Sequence, residues 1–238
     1  MNPTGDDAVS STADRVGDPV GLLDHAYGQV SSLLTRLDPA DFWLPTTASA
    51  WCVQDVVFHL LLDTQRALIT YASPTTEPAD VDAASYWHAF RPGQDPRAEA
   101  AQARFVRLGS AAYGSSASLV GQWTETAAAA VRAAGTITLA TRVRTQGHVL
   151  EVADFTSTLV VEACVHHLDL VAHLDAPPEP DPVVLGHTRT VLELIADEPL
   201  PSTWSDRRAV LLGTGRTTPT DRDRASARLL VSRLPLLG

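Results

Sequence analysis

From Pro19 onward the chain repeats apolar residues in steps of three and four. In VGLLDHAYGQVSSLLTRL the residues Leu22, Leu23, Ala26, Val30, Leu33, Leu34 and Leu37 follow that interval, the period of one helix face, and predict a first helix over about 19–37. A loop with Pro39 and Pro45 follows. Ser49 or Cys52 is then placed to cap a second helix over about 51–72, with Val53, Val56, Val57, Leu60, Leu61 and Leu68 on one side. The run SPTTEP ends it. Residues 74–95, rich in Pro, Asp and Ser, read as a long loop holding Tyr86, Trp87 and Phe90. An alanine-rich stretch over about 96–134 predicts a long helix interrupted near Gly109 and Gly114, alanine being the strongest helix former. TITLATRVRTQGHVLEV alternates β-branched and polar residues around Gln146-Gly147, which predicts a short hairpin over about 136–152. Asp154 opens a fourth helix, DFTSTLVVEACVHHLDLVAHL, ended by Pro177 and Pro178.

These elements predict a mainly α protein. A four-helix bundle occupies residues 18–176, with a short hairpin before its fourth helix, and its interior can host a metal site. Residues 1–17, small, acidic and polar, read as a disordered tail. Residues 177–238 read as a small α/β appendage with one helix over about 181–197 and one strand, Arg208 to Leu212.

Composition narrows the class. With 238 residues, 45% of them apolar, the chain can bury the core of one domain plus a small annex. Its 18 basic residues are all arginine and face 28 acidic ones, for a formal charge of −10. That balance argues against a general nucleic-acid binder, which needs a basic face. The N-terminus shows neither a basic nor an apolar signal region, and no stretch reaches the roughly 18 apolar residues of a membrane span; the expected location is cytoplasmic, with no membrane partner. Cys52 and Cys164 lack metal-knuckle spacing and read as free thiols.

The chemistry-bearing pattern lies in the fourth helix. Glu162, His166, Asp169 and His173 fall within roughly 60° of one another around a helical axis. His167 is rotated about 140° from Glu162, so His166 is the histidine that can share a target with the glutamate. Taken alone, such a stripe reads equally as a solvent face. The second helix carries a similar stripe, Asp55, His59, Asp63 and Arg66, whose simplest reading is a solvated face with an ion pair.

The two segments together carry more. Trp51-Cys52-Val53-Gln54-Asp55-Val56-Val57-Phe58-His59-Leu60, read with Glu162-Ala-Cys-Val-His166-His-Leu-Asp169-Leu170, resembles the mycothiol-dependent maleylpyruvate isomerase family of DinB-like metalloproteins over about residues 19–176. The resemblance implies a DinB-like bundle in which His59, Glu162 and His166 bind a divalent metal, zinc before others, with Asp169 orienting a ligand imidazole. Two imidazoles, one carboxylate and an open position also suit a catalytic zinc site. His173 stays outside this set. Cys52 stands where the family carries a capping threonine, and the C-terminal appendage is short for the family.

The implied activity is that of a metal-dependent enzyme. It would hold a low-molecular-weight thiol, mycothiol by resemblance, as a zinc thiolate for S-transfer to an electrophilic substrate. The alternatives are cis–trans isomerisation of maleylpyruvate by the same thiol, or a non-catalytic bundle that binds metal or ligand. Anionic groups on the thiol or substrate call for arginine, and the candidates are Arg142, Arg144, Arg208 and Arg216. Tyr86, Trp87 and Phe90 either wall the pocket mouth or pin their loop to the bundle. The partners are small molecules, the thiol and its electrophile; the oligomeric state is left open.

Overall fold

The computed structural model describes residues 17–48, 50–90, 95–175 and 178–237. The tail expected over residues 1–17 lies outside them except for Gly17, as do Ser49, Pro177 and the side chain of Phe90.

Helix α1 (Pro19–Leu34) starts where the Asp18 carboxylate accepts the Val20 N–H and proline occupies the first turn. It stops three residues before Leu37, with the Thr35 amide turned back onto the Ser31 carbonyl. Helix α2 (Val53–Tyr71) follows Cys52. The carboxylate of Asp55 reaches back to accept the Cys52 N–H at 3.1 Å and its thiol at 3.3 Å, the work of a capping box. Ser110 donates to the other Asp55 oxygen, and Gln54 Nε2 donates to the Ser110 carbonyl at 3.0 Å. Asp55 is thereby a structural residue that ties the start of α2 to its neighbour.

The alanine-rich stretch divides as expected into α3 (Pro96–Ala111) and α4 (Ser116–Gly135), where Ser115 caps the second piece. Strands β1 (Arg142–Thr145) and β2 (His148–Glu151) pair antiparallel, Arg142 opposite Glu151 and Thr145 opposite His148. The turn residues Gln146 and Gly147 have φ of 46° and 85°, the left-handed pair that a two-residue hairpin demands. The hairpin is shorter than the 136–152 expected, because residues before Arg142 turn off the end of α4.

Helix α5 (Val152–Val171) begins directly after β2, two residues ahead of Asp154. Apart from Asp154 and Glu162, every residue of α5 is buried. It is the central post of the bundle, packed against α1, α2 and α6 (Pro182–Ala196), while α4 closes the bundle against α1 and α2. Each fully buried leucine, such as Leu23, Leu61, Leu119 and Leu170, contributes about 1.5–3 kcal/mol relative to exposure.

The C-terminal segment departs from expectation at one place. The strand predicted over Arg208–Leu212 is helix α7 (Asp206–Gly213), and the described residues of the appendage contain no strand, only α6, α7 and the short α8 (Asp221–Ser226) and α9 (Arg228–Val231). Ser205 caps α7 by accepting the Arg208 N–H, Asp206 sits in its first turn, and Ala209, Val210 and Leu212 turn toward α6. Capping and a single β-branched residue in the stretch favour helix over strand. Gly213 lets α7 close on α6: a Cβ there would meet the Leu192 side chain at 2.8 Å. The appendage's apolar residues, from Val184 to Leu237, belong to one continuous core with those of the bundle.

Candidate metal centre

The second turn of α2 carries His59, and two successive turns of α5 carry Glu162 and His166. Because α2 and α5 pack side by side, the three side chains meet. His166 Nε2 lies 3.2 Å from Glu162 Oε2, and His59 Nε2 lies 3.7 Å from the same oxygen. One donor atom from each residue falls within 4.8 Å of the others. The imidazole rings meet edge to face with centroids 4.7 Å apart, and the Trp51 ring packs on His59 at 5.0 Å.

Burial overturns the solvent-face reading of the α5 stripe. His166 is 4% exposed and Asp169 is fully buried, whereas the Glu162 side chain keeps 29% of its surface open. His173 lies beyond the helix end and is exposed. His167 points elsewhere, with its Nε2 3.0 Å from the Pro178 carbonyl.

Asp169 fixes His166. Its Oδ2 lies 2.8 Å from His166 Nδ1, so the proton on that nitrogen is donated to the carboxylate and Nε2 is left facing Glu162. Arg216 donates to both Asp169 oxygens, Nε to Oδ1 at 3.3 Å and Nη2 to Oδ2 at 3.2 Å, and the Thr47 hydroxyl donates to Oδ1 at 2.5 Å. Burial alone would raise the Asp169 carboxyl; His166 and Arg216 outweigh it and hold the group down at about 2. Burial opposes charge on His166 too, yet Asp169 and Glu162 carry its pKa up to about 9. Glu162 is desolvated and still held well below the usual carboxylate range by the two histidines.

Asp63, one turn beyond His59, has its Oδ2 3.4 Å from His59 Nε2. Burial pushes its carboxyl up to about 6, with His59 pulling it down and Glu162 pushing it further up. Tyr27 on α1 and Tyr86 lie close enough to feel the Asp63 and Glu162 charges, and burial keeps both phenols protonated. Tyr86 and Trp87 are buried, and Gln146 of the hairpin turn donates to the Tyr86 hydroxyl at 2.7 Å; these aromatics pin the 74–90 loop to the bundle beside the cluster.

Two imidazoles and a carboxylate, partly open and with orphaned polar atoms beside them, suit a divalent cation. Both His59 Nδ1 and Asp63 Oδ2 are buried with no hydrogen-bond partner, and unsatisfied buried groups of this kind call for a missing partner. The family profile described as mycothiol maleylpyruvate isomerase N-terminal domain matches residues 23–171, more than half of the chain. The chain belongs to that family. A solved structure of the mycothiol-dependent maleylpyruvate isomerase superposes with a TM-score of 0.51 at 14% identity, covering 83% of this chain and 75% of that one. A histidine-to-alanine mutant of that isomerase gives 0.52 at 15% identity with the same coverage. A search of curated protein sequences returns no match. The fold is thus the DinB-like, mainly α fold of this family.

The four candidate arginines are dispersed. Arg142 donates to the backbone carbonyls of Thr76 and Glu77, and Arg144 pairs with the Glu77 carboxylate. Arg208 pairs with Asp223 at 2.5 Å. Arg216 alone of the four contacts the cluster, and it does so through Asp169. Sequence reading missed the part played by Thr47, Trp51 as a ring against His59, and Tyr27. Trp51 carried a signal, since it opens the motif segment; Thr47, in an irregular loop, carried none. Asp63 stood in the α2 stripe but read there as part of a solvated face.

Proposed function

We propose that this protein is a metal-dependent enzyme that activates a low-molecular-weight thiol, mycothiol or a close relative, for transfer of the sulfur to an electrophilic carbon. The observation that supports it is the convergence of His59, Glu162 and His166 at a partly open point between α2 and α5, in a chain of the mycothiol maleylpyruvate isomerase family. In this reading His59, Glu162 and His166 hold the ion, zinc before other divalent metals. Bound there, the ion supplies a positive charge that lowers the pKa of a thiol into the neutral range. Asp169 accepts the hydrogen bond from His166 Nδ1 and so aims Nε2 at the site. Trp51 covers His59 and excludes water from that side. In the transfer the S–H bond breaks, a C–S bond forms, and the leaving group departs with the proton.

Transfer to a neutral electrophile is favoured over a dicarboxylate substrate by the arginines: each of the four candidates is already engaged by a carbonyl or carboxylate of the chain. The second reading is cis–trans isomerisation of maleylpyruvate with the thiol adding and leaving again, and the family membership supports it. We place the enzyme among soluble proteins of the cytoplasm; no helix among the described residues is long and apolar enough to cross a membrane. The bundle and the appendage share one core, and we read them as a metal-binding domain with a small annex that carries Arg216.

The deciding experiment is metal analysis with turnover. Purified protein is expected to hold about one equivalent of divalent metal that His166→Ala loses, and the metal-loaded protein to consume mycothiol in the presence of electrophiles. Full turnover by Glu162→Gln and His166→Ala would remove the proposed site. Conversion of maleylpyruvate without net thiol consumption would select the isomerase reading.

A further inference from the structure

The C-terminal annex holds a cleft of its own. It measures about 580 Å³ and lies among the end of α7, the 215–219 loop, α8, α9 and the residues that follow α9, a size usual for small-ligand sites. Buried Leu212 and half-buried Val231 and Leu234 give it an apolar floor. Its charged lining residues are both arginines, Arg224 and Arg228, and both are exposed. Arg208, Arg216 and Arg233 of the same annex are each paired with a carboxylate. Arg228 has no side-chain hydrogen bond or ion pair among the described residues. Arg224 reaches Asp221 at 3.4 Å, between two exposed side chains, where an ion pair is worth little. No carboxylate lines the cleft, and Asp223, one residue before Arg224, is already engaged by Arg208 and Thr220. In a chain whose formal charge is −10, this cleft carries charge of the opposite sign, and the complement it lacks is an anion.

We propose that the cleft is a second small-molecule site, which takes an organic carboxylate with an apolar body. Guanidinium forks pair with a carboxylate through parallel hydrogen bonds, and the floor of Leu212, Val231 and Leu234 takes the body out of water. A small inorganic anion would satisfy the arginines and leave the floor wet; a neutral apolar ligand would cover the floor and leave the arginines unpaired. The site is separate from the metal centre. Gly215 and Thr217 line the cleft, whereas Arg216 between them pairs with Asp169, so the two sites share a loop but no lining side chain.

Octanoate is the probe, titrated calorimetrically into the full-length protein. Acetate, which has the head without the body, and octylammonium, which has the body with the opposite charge, are the controls. Octanoate is expected to bind at least about tenfold more tightly than either. The double variant Arg224→Ala, Arg228→Ala, with circular dichroism verifying its fold, is expected to lose about tenfold or more in octanoate affinity. The double variant Arg97→Ala, Arg104→Ala, which removes two exposed arginines of α3, is expected to keep it. Absence of octanoate binding, octanoate bound no better than either control, or full affinity in the Arg224→Ala, Arg228→Ala protein overturns the proposal. So does an equal loss in the α3 variant, since general charge and not the cleft would then hold the anion.

Discussion

The two imidazoles of the cluster are held in opposite ways. His166 is buried on the central helix, its Nδ1 tied to Asp169, and Asp169 is tied in turn to Arg216 from the C-terminal segment and to Thr47 from the loop before α2. Three separate stretches of chain thus converge on one ring. His59 has a more exposed side chain, 16% open, with Nδ1 unpartnered and an aromatic ring for a wall. The α5 half is preorganised by hydrogen bonds within the chain, whereas His59 Nδ1 and Asp63 Oδ2 in the α2 half have no hydrogen-bond partner among the described residues. A rigid half and an adaptable half let a site keep its ligand geometry while the other side adjusts to what enters.

The largest effect should come from cutting the rigid half at its centre. Asp169→Ala leaves the Arg216 guanidinium, 10% exposed, without its carboxylate and frees the His166 ring. Breaking a buried pair in this way is expected to cost about 3–5 kcal/mol in urea unfolding. A loss under about 1 kcal/mol would mean that the clamp contributes nothing and would erase the contrast between the halves.

Next in size is the difference between the two histidines in metal-free protein. His166→Ala removes a hydrogen bond to a charged group and is expected to cost about 1.5–3 kcal/mol. His59→Ala deletes an already unsatisfied nitrogen and should stay within about 1 kcal/mol of the parent. Chemical denaturation with a chelator present measures both. Equal losses would break the comparison.

The smallest effect sharpens it within α5 itself, where the carboxyls of Asp169 and Asp154 are shifted in opposite directions. Asp169, held down at about 2 by His166 and Arg216 against its burial, stabilises the fold above its unfolded pKa, and that stabilisation is lost as pH falls through about 2. Asp154 behaves in the opposite sense. Burial pushes it up to about 6, the Asp82 and Glu151 charges add to this, and only the Ala83 amide opposes it. Its ionisation therefore destabilises the fold progressively as pH rises from the unfolded value through about 6. Asp154→Asn should gain on the parent by about 1 kcal/mol between pH 4 and pH 8, the partial exposure of the group having been allowed for. Thermal melts at the two pH values read the difference; a gap that shrinks toward pH 8 contradicts it.

Much of this fold was legible because its signals are local. The periodicity of Leu22 to Leu34 and Val53 to Leu68 gave α1 and α2, and Gln146-Gly147 marked the hairpin turn whose left-handed backbone only such residues accept readily. The break between α3 and α4 was expected near Gly109 and Gly114, and the structure adds the Ser115 cap. The misread strand at Arg208–Leu212 shows the limit: five residues carry too little periodicity to separate strand from helix, and the Ser205 cap with packing on α6 decided it. The same limit hid the site's supports. Thr47 and Tyr27 approach the cluster from distant segments, and no spacing rule relates them; Arg216 was a candidate by its chemistry, but its contact with Asp169 was not legible.

By itself, the sequence determined a mainly α bundle and a set of metal-capable side chains on two helices, because helical spacing places Glu162, His166 and Asp169 on one face wherever that helix lies. Only the tertiary structure decided that this face looks inward. Burial of nearly all of α5 turned the stripe from a solvent edge into a desolvated cluster, joined Asp169 to Arg216 across 47 residues, and set Asp63 beside His59 with an unanswered oxygen. Helix periodicity is written in neighbours along the chain, whereas burial and charge pairing depend on which surfaces meet.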